Sequence, residues 1–280
     1  MRLMNYNLKL LRKPVPFQPG TLTLWSNEYI GKNVLEIHLD GNIDSGSRRS
    51  IIIEKTVEWI LKKFYSAKRI LDIGCGPGLY APLLCQGNLD YEGFDVSPYQ
   101  INYAEKHNTI SGKTQFTVCD FRSWSSDKRY DVALLLYGIY SFYCYEERIS
   151  FLKKLKRSLN VNGCVIIEVF TERHYQNRTD SSDWEFIEKD GFWCETPYLE
   201  LNAFRRYNET GLVLIQTAVI DQKVEIWNSW IQTFSIDSIE KELYEAGFAY
   251  YEVYGSCFGE PYTSKSEVIC ICAYLVEQNF

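Results

Sequence analysis

Residues 69–80, Arg-Ile-Leu-Asp-Ile-Gly-Cys-Gly-Pro-Gly-Leu-Tyr, run an apolar strand into three glycines at alternate positions and then into a helix. Glycine reaches positive φ and has no side chain, so Gly74, Gly76 and Gly78 predict a tight turn with bare peptide open to a ligand. Asp95 ends the next strand-like run about twenty residues after the loop, the separation at which a carboxylate reaches a ribose diol. Cys119-Asp120-Phe121 ends the third run, where the acid could accept from an exocyclic amine and the ring could flank adenine. Each acid alone could equally cap the helix after its strand, and a glycine turn can be structural. Their joint placement at the carboxyl ends of successive strands converges on the crevice where open α/β sheets bind ligands.

The surrounding pattern is an alternation of strands and helices. Apolar runs at Arg69–Ile73, Tyr91–Asp95, Thr114–Cys119, Tyr130–Leu136 and Gly163–Phe170 predict five parallel strands. Helical periodicity separates them at Leu79–Gln86, Pro98–Asn108 (capped by Ser97) and Glu146–Leu159. Arg48–Tyr65 carries one apolar stripe and predicts a helix ahead of the sheet. After the fifth strand, Phe192–Trp230 alternates in the manner of antiparallel strands, with a turn at Asn208–Gly211. Ser235–Ala246 resumes a helix closed by Gly247, and Tyr250–Tyr254 and Val268–Val276 predict two last strands. The expected divisions are an N-terminal arm or lid over 1–47, a cofactor-binding core over 48–170, a β-rich covering insertion over 171–234, and the remainder of the core sheet over 235–280.

Over roughly residues 48–170 these motifs resemble the class I S-adenosylmethionine-dependent methyltransferases, and the terminal strands fit that family's antiparallel sheet end. The resemblance implies a doubly wound, Rossmann-like, seven-stranded α/β sheet that is mostly parallel, and S-adenosyl-L-methionine as cofactor. It further implies that Asp72 supports the methionine amino end, that Gly74, Gly76 and Gly78 face the cofactor, and that Asp95, with Val96 beside it, takes the ribose. Asp120 would meet the adenine amine, the backbone of Phe121 its ring, and Tyr137 would lie beside the methionyl group. A lid arginine holds the cofactor carboxylate in related enzymes, and Arg48 is placed for this, with Arg49 nearly equal. Trp-Ser-Asn-Glu-Tyr-Ile through Asp-Ser-Gly-Ser-Arg also looks like the lid of a bacterial small-molecule methyltransferase, which favours a closed pocket.

The acceptor is less legible. The 21 tyrosines exceed what a core needs, because each buried hydroxyl requires a partner. Tyr137–Tyr145 follows the fourth strand and could wall the acceptor site, with Tyr140 inside it; Trp25 and Tyr29 from the arm, and Trp193 and Trp230 from the insertion, could close the same pocket. Such rings would suit an amine. For a general base the candidates are His38, Tyr140 and His174, although His38 reads equally as a packed residue of a lid helix and His174 as part of a solvated loop.

A formal charge of −6 disfavours a general grip on phosphates, so nucleic acid is not the expected partner. No run spans a bilayer and no signal peptide precedes the arm, which predicts a cytoplasmic protein, as a monomer or homodimer. Nine cysteines, such as Cys119, Cys164, Cys270 and Cys272, sit mostly singly in apolar runs and read as reduced core residues; His38, His107 and His174 are too scattered for a metal motif. The expected function is methyl transfer to a small-molecule nitrogen or oxygen by in-line displacement. The alternatives are an RNA or protein methyltransferase, disfavoured because Tyr-Gly-Ile-Tyr stands where many nucleic acid amino methyltransferases carry Asn/Asp-Pro-Pro-aromatic, and a noncatalytic module binding the same cofactor. A nicotinamide enzyme is a third, but Gly-Cys-Gly-Pro-Gly lacks the G-x-G-x-x-G spacing.

Overall fold

The computed structural model describes residues 8–25 and 27–275. The start of the arm (1–7) and the predicted end of the last strand at Val276 lie outside the described residues. Five strands, β1 (Arg69–Ile73), β2 (Asp90–Asp95), β3 (Thr114–Val118), β4 (Tyr130–Leu135) and β5 (Leu159–Phe170), pair in parallel. Four more, β6 (Ser181–Ile187), β7 (Tyr198–Tyr207), β8 (Leu212–Ile220) and β9 (Val224–Gln232), form a separate antiparallel sheet in sequential order. The chain then returns to the first sheet as β10 (Tyr250–Tyr254) and β11 (Val268–Tyr274). The main sheet has the order β10-β11-β5-β4-β1-β2-β3, and β11 runs antiparallel to both of its neighbours. Strand order reverses beside β1, so the loops after β1 and β4 diverge and open a crevice at their carboxyl ends.

Helices cover both faces, which is why β1 and β4 read as mostly apolar runs. On one face α2 (Ser50–Lys63), α3 (Ala81–Gln86) and α4 (Pro98–His107) pack Ile53, Val57, Leu84 and Ile101 against Ile70 and Val132. On the other, α5 (Tyr145–Arg157) and α6 (Ile236–Ala246) pack Phe151, Leu155, Ile239 and Leu243 against Leu71 and Leu135. A buried ionic knot ties α5 to α6: Arg148 meets Glu242 at 2.5 Å, and the Tyr140 hydroxyl donates to the same carboxylate at 2.5 Å.

Most predicted boundaries move by one or two residues, and three shifts have an evident cause. Helix α3 begins at Ala81, because Gly78 still has φ 73° and belongs to the turn. Strand β5 starts at Leu159, four residues early, where its register against β4 is irregular. The insertion sheet begins at Ser181, ahead of the predicted Phe192: β6 is an edge strand whose residues are mostly exposed, so it lacks a buried alternation.

The arm is stitched to this second sheet. Leu22 N–H donates to Ile226 O at 2.9 Å, and the Trp230 indole N–H to Gln18 O at 2.8 Å. The following helix, α1 (Glu28–Leu39), is capped by the Asn27 side chain and wedged between α4 and the insertion. Gly31 makes this possible, since a Cβ there would fall 2.2 Å from the Tyr99 ring. On the insertion side, Tyr29 donates to Gly191 O at 2.7 Å and Asn33 to Phe192 O at 3.0 Å.

Candidate active site

The glycine turn stands at the switch point. Gly74, Gly76 and Gly78 all have positive φ, a region costly for residues with a Cβ. The turn is fixed by Gly74 and Cys75 N–H groups donating to Phe94 O at 2.9 and 3.0 Å, which ties the end of β1 to β2. Asp95 grips it as well: one carboxylate oxygen accepts from Gly76 N–H at 3.0 Å and the other from Ser97 N–H at 2.8 Å. Burial pushes the Asp95 carboxyl up, and these backbone donors oppose the shift. Val96 is partly exposed in the turn that follows.

Asp72 lies below the loop, 3% exposed. Burial raises its carboxyl to about 7, the Tyr91 hydroxyl bond at 2.6 Å opposes this, and the neighbouring Asp95 charge adds to it. Asp120 is partly exposed at the end of the third strand. Arg122 holds it with two side-chain bonds of 2.9 and 2.7 Å and keeps it below the usual carboxylate range. The Phe121 ring departs from the flanking position expected of it: it is buried between Tyr143 and Phe151, with centroids at 4.0 and 3.7 Å, so the ring is core.

After β4, Tyr137 adopts φ 53° and Gly138 φ 74°, a turn that re-aims the chain. The Tyr137 N–H donates to Glu168 Oε2 at 2.6 Å and its hydroxyl to Asp44 O at 2.8 Å. Arg48 sits over this ring at 4.6 Å and bonds the other oxygen of Glu168. Arg48 and Tyr137 are thus brought together by an acid that the sequence reading did not single out. The signal was present, a lone glutamate in Cys-Val-Ile-Ile-Glu-Val-Phe, because a charge inside an apolar strand needs a partner. Arg49 pairs instead with Asp44 at 3.0 Å.

The lid brings His38 onto the loop: a Cβ on Gly76 would lie 3.3 Å from its Nδ1. That nitrogen is 2.9 Å from Ser47 Oγ, and burial lowers the imidazole to about 4, so the ring is neutral near pH 7. His174, expected in a solvated loop, is instead partly buried on a short 3-10 turn (Glu172–Tyr175), its ring 4.5 Å from that of Phe170.

The aromatic residues divide. Tyr29 lines a cavity of about 410 Å³ with Asn33, Ile37, Asp40 and Phe192, and Trp25 packs beside it. Tyr140 is 0% exposed with its hydroxyl committed to Glu242, so it has no face for a substrate. Trp193 is buried among Ile30, Val34 and Tyr198, sealing the lid to the insertion. Trp230 packs with Phe17 and Tyr207, where it anchors the arm rather than a pocket. A second cavity, of about 210 Å³, lies between the start of α2, the end of β5 and the start of β11, and is lined by Arg48, Tyr80, Glu168, His174, Cys257 and Glu267.

A seven-stranded sheet of this order, with a glycine turn after its first strand and acids at or just beyond the ends of the next two, is the fold of the class I S-adenosylmethionine-dependent methyltransferases. The chain belongs to the methyltransferase-domain family, whose model matches residues 47–253. No curated protein matches in sequence. Among solved structures the chain is similar to the CcbJ methyltransferase from Streptomyces caelestis (10% identity, 88% of this chain and 97% of that one, TM-score 0.67). It is also similar to an S-adenosylmethionine-dependent methyltransferase from Clostridium acetobutylicum (14% identity, 87% and 97%, TM-score 0.64) and to the sugar N-methyltransferase KedS8 from a Streptoalloteichus species (17% identity, 80% and 87%, TM-score 0.55).

The residues present fit the cofactor. Gln100, in the first turn of the helix that follows Asp95, is 1% exposed with both carboxamide atoms unpartnered, leaving a buried donor and acceptor free for a ligand. Such orphaned buried groups are rare without a role.

Proposed function

We propose that the enzyme methylates a nitrogen or oxygen of a small molecule held over the carboxyl ends of β4 and β5. The observation that carries this reading is the cover beside the crevice: α1 packs against α4 and the insertion and seats His38 on Gly76, and clefts of about 410 Å³ (between α1 and residues 190–192) and about 210 Å³ (between residues 44–56, Glu168 and residues 255–268) are of small-molecule size. Pockets of this scale suit small ligands. The similar sugar N-methyltransferase is in keeping with such an acceptor.

In this reading Gly74, Gly76 and Gly78 face the cofactor, Asp95 takes the ribose hydroxyls with Val96 alongside, and Asp120 with the backbone of Phe121 takes the adenine. Asp72 supports the methionine ammonium, which favours its ionised form, while Arg48 and Tyr137 hold the carboxylate end. When bound, S-adenosylmethionine supplies an electrophilic methyl group on a sulfonium. The chain's own contribution is alignment, which is worth roughly 7–11 kcal/mol when reacting groups are well held. His38, seated on Gly76, excludes water from the loop.

The division of labour follows: 48–170 and 235–280 hold the donor, while 1–47 and 171–234 cover the acceptor. The nine cysteines are all free thiols, in keeping with a reducing cytoplasm, and among the described residues no helix is long and apolar enough to cross a membrane. Methyl transfer from labelled S-adenosylmethionine to pools of small amines and alcohols, against transfer RNA and peptide pools, tests the reading. Label entering only the macromolecular pools would overturn it.

A further inference from the structure

The cavity of about 210 Å³ contains a group that the fold does not need. His174 Nδ1 is buried without a hydrogen-bond partner, and the nearest acid, Glu267 at the start of β11, stands off at 3.6 Å. A buried polar nitrogen left unbonded costs roughly 1–3 kcal/mol, which a ligand group would relieve. The ring itself is firmly set, 4.5 Å from Phe170 and 4.7 Å from Tyr175. Phe170 in turn packs on Tyr137 and against Gly138, so His174 stands on the same wall as the turn after β4.

The titratable groups around this nitrogen come from five elements. Arg48 beside α2 is neutralised by Glu168 of β5, and Arg49 by Asp44. Tyr137 and Tyr175 contribute neutral phenols. Glu267 therefore leaves the wall with an excess negative charge, which favours a cation over a neutral hydroxyl. Burial lowers the imidazole most and Arg48 adds to it, while the charge and side-chain contact of Glu267, and Glu168, oppose them; the net shift is downward, toward the neutral ring.

Resting on the reading of the site as a methyl acceptor pocket, we infer that this cavity binds a small primary or secondary amine as its ammonium ion, with His174 taking the proton and Glu267 steadying the charge. The ammonium proton passes to Nδ1, which frees the nitrogen lone pair. The nitrogen then forms its bond to the methyl carbon as the carbon–sulfur bond breaks, with that electron pair remaining on sulfur. The products are an N-methylated ammonium, imidazolium and the neutral thioether.

With three histidines in the chain, imidazole NMR resolves the test. Protein saturated with S-adenosylhomocysteine is titrated with benzylamine and glucosamine, and with benzyl alcohol and glucose as neutral counterparts. The expected result is a shift of the His174 resonance by the amines at concentrations at least tenfold below those of the alcohols. Glu267→Gln should weaken that response at least fivefold, and His174→Gln should leave S-adenosylhomocysteine affinity within twofold of wild type. Equal responses to amines and alcohols, or none, overturn the inference while leaving the methyltransferase reading intact. A tenfold loss of S-adenosylhomocysteine affinity in His174→Gln overturns it too, by making the cavity part of the cofactor site. Failure of wild type to bind S-adenosylhomocysteine is the separate failure of the reading on which it rests.

Discussion

The Tyr91 hydroxyl, reaching across from β2, donates to the Asp72 carboxylate at 2.6 Å beneath the glycine turn. It is one bond to a carboxylate otherwise removed from water, so the acid keeps its proton to about 7 against an ordinary 3.8. The folded state holds this proton more tightly than the unfolded chain. The contribution to stability is therefore fully present below about pH 4 and is lost as pH rises toward 7. Asp72→Asn keeps an acceptor for Tyr91 and removes the cost of ionisation. The unliganded variant is expected to melt above wild type at pH 8, by about 1–4 kcal/mol, and the two should converge at pH 4. Thermal melts across that range check this; a variant less stable at pH 8 would show that Asp72 is not strained.

His38 carries the opposite sign. Its folded value of about 4 lies below the ordinary 6.5, so its contribution is present above 6.5 and is lost as pH falls toward 4. The ring seats the end of α1 on Gly76 and Ser47, so acid should loosen the lid before the core. Hydrogen exchange at pH 5 against pH 7.5 is expected to show faster exchange in α1 than in β1 or β4. In His38→Gln the difference between the two pH values should vanish once intrinsic rates are corrected.

The knot of Tyr140, Arg148 and Glu242 is structural. Glu242→Ala would strand a buried guanidinium and is expected to cost about 3–5 kcal/mol. Tyr140→Phe removes one hydrogen bond to a charged group and should cost about 1.5–3 kcal/mol. Denaturant unfolding measures both. Methyl-transfer rates in Tyr140→Phe should match wild type at temperatures where it is folded, and a loss of a hundredfold would return Tyr140 to the chemistry.

The sheet was readable because its information is local. Central strands such as Val132–Leu135 are buried on both faces and appear as unbroken apolar runs, Ile70–Ile73 is apolar but for Asp72, and the glycine turn requires its residues wherever it occurs. Strand β6, exposed along an edge, carries no such run. The side chains misjudged from sequence are those whose partners are distant. Tyr140 meets Glu242 across 102 positions, and Trp230 meets Gln18 across 212. An aromatic residue near a strand end looks the same in sequence whether it lines a pocket or closes a core. His174 is the converse case, polar in its neighbours and yet folded back onto Phe170. Gln100 likewise gave no warning, since a polar residue on a helix is ordinarily solvated, and only its burial reveals the unpaired amide.

The most direct test concerns Asp95, whose two oxygens bind the turn and the next helix at the place assigned to the ribose. Calorimetric titration with S-adenosylmethionine and S-adenosylhomocysteine, with NADH as competitor, should give micromolar binding of both sulfur ligands to wild type and no displacement by NADH. A hydrogen bond to a charged acceptor contributes roughly 1.5–3 kcal/mol, so Asp95→Ala should bind about tenfold or more weakly. Absence of binding by folded wild type, or displacement by NADH, would contradict the assignment of this crevice to S-adenosylmethionine.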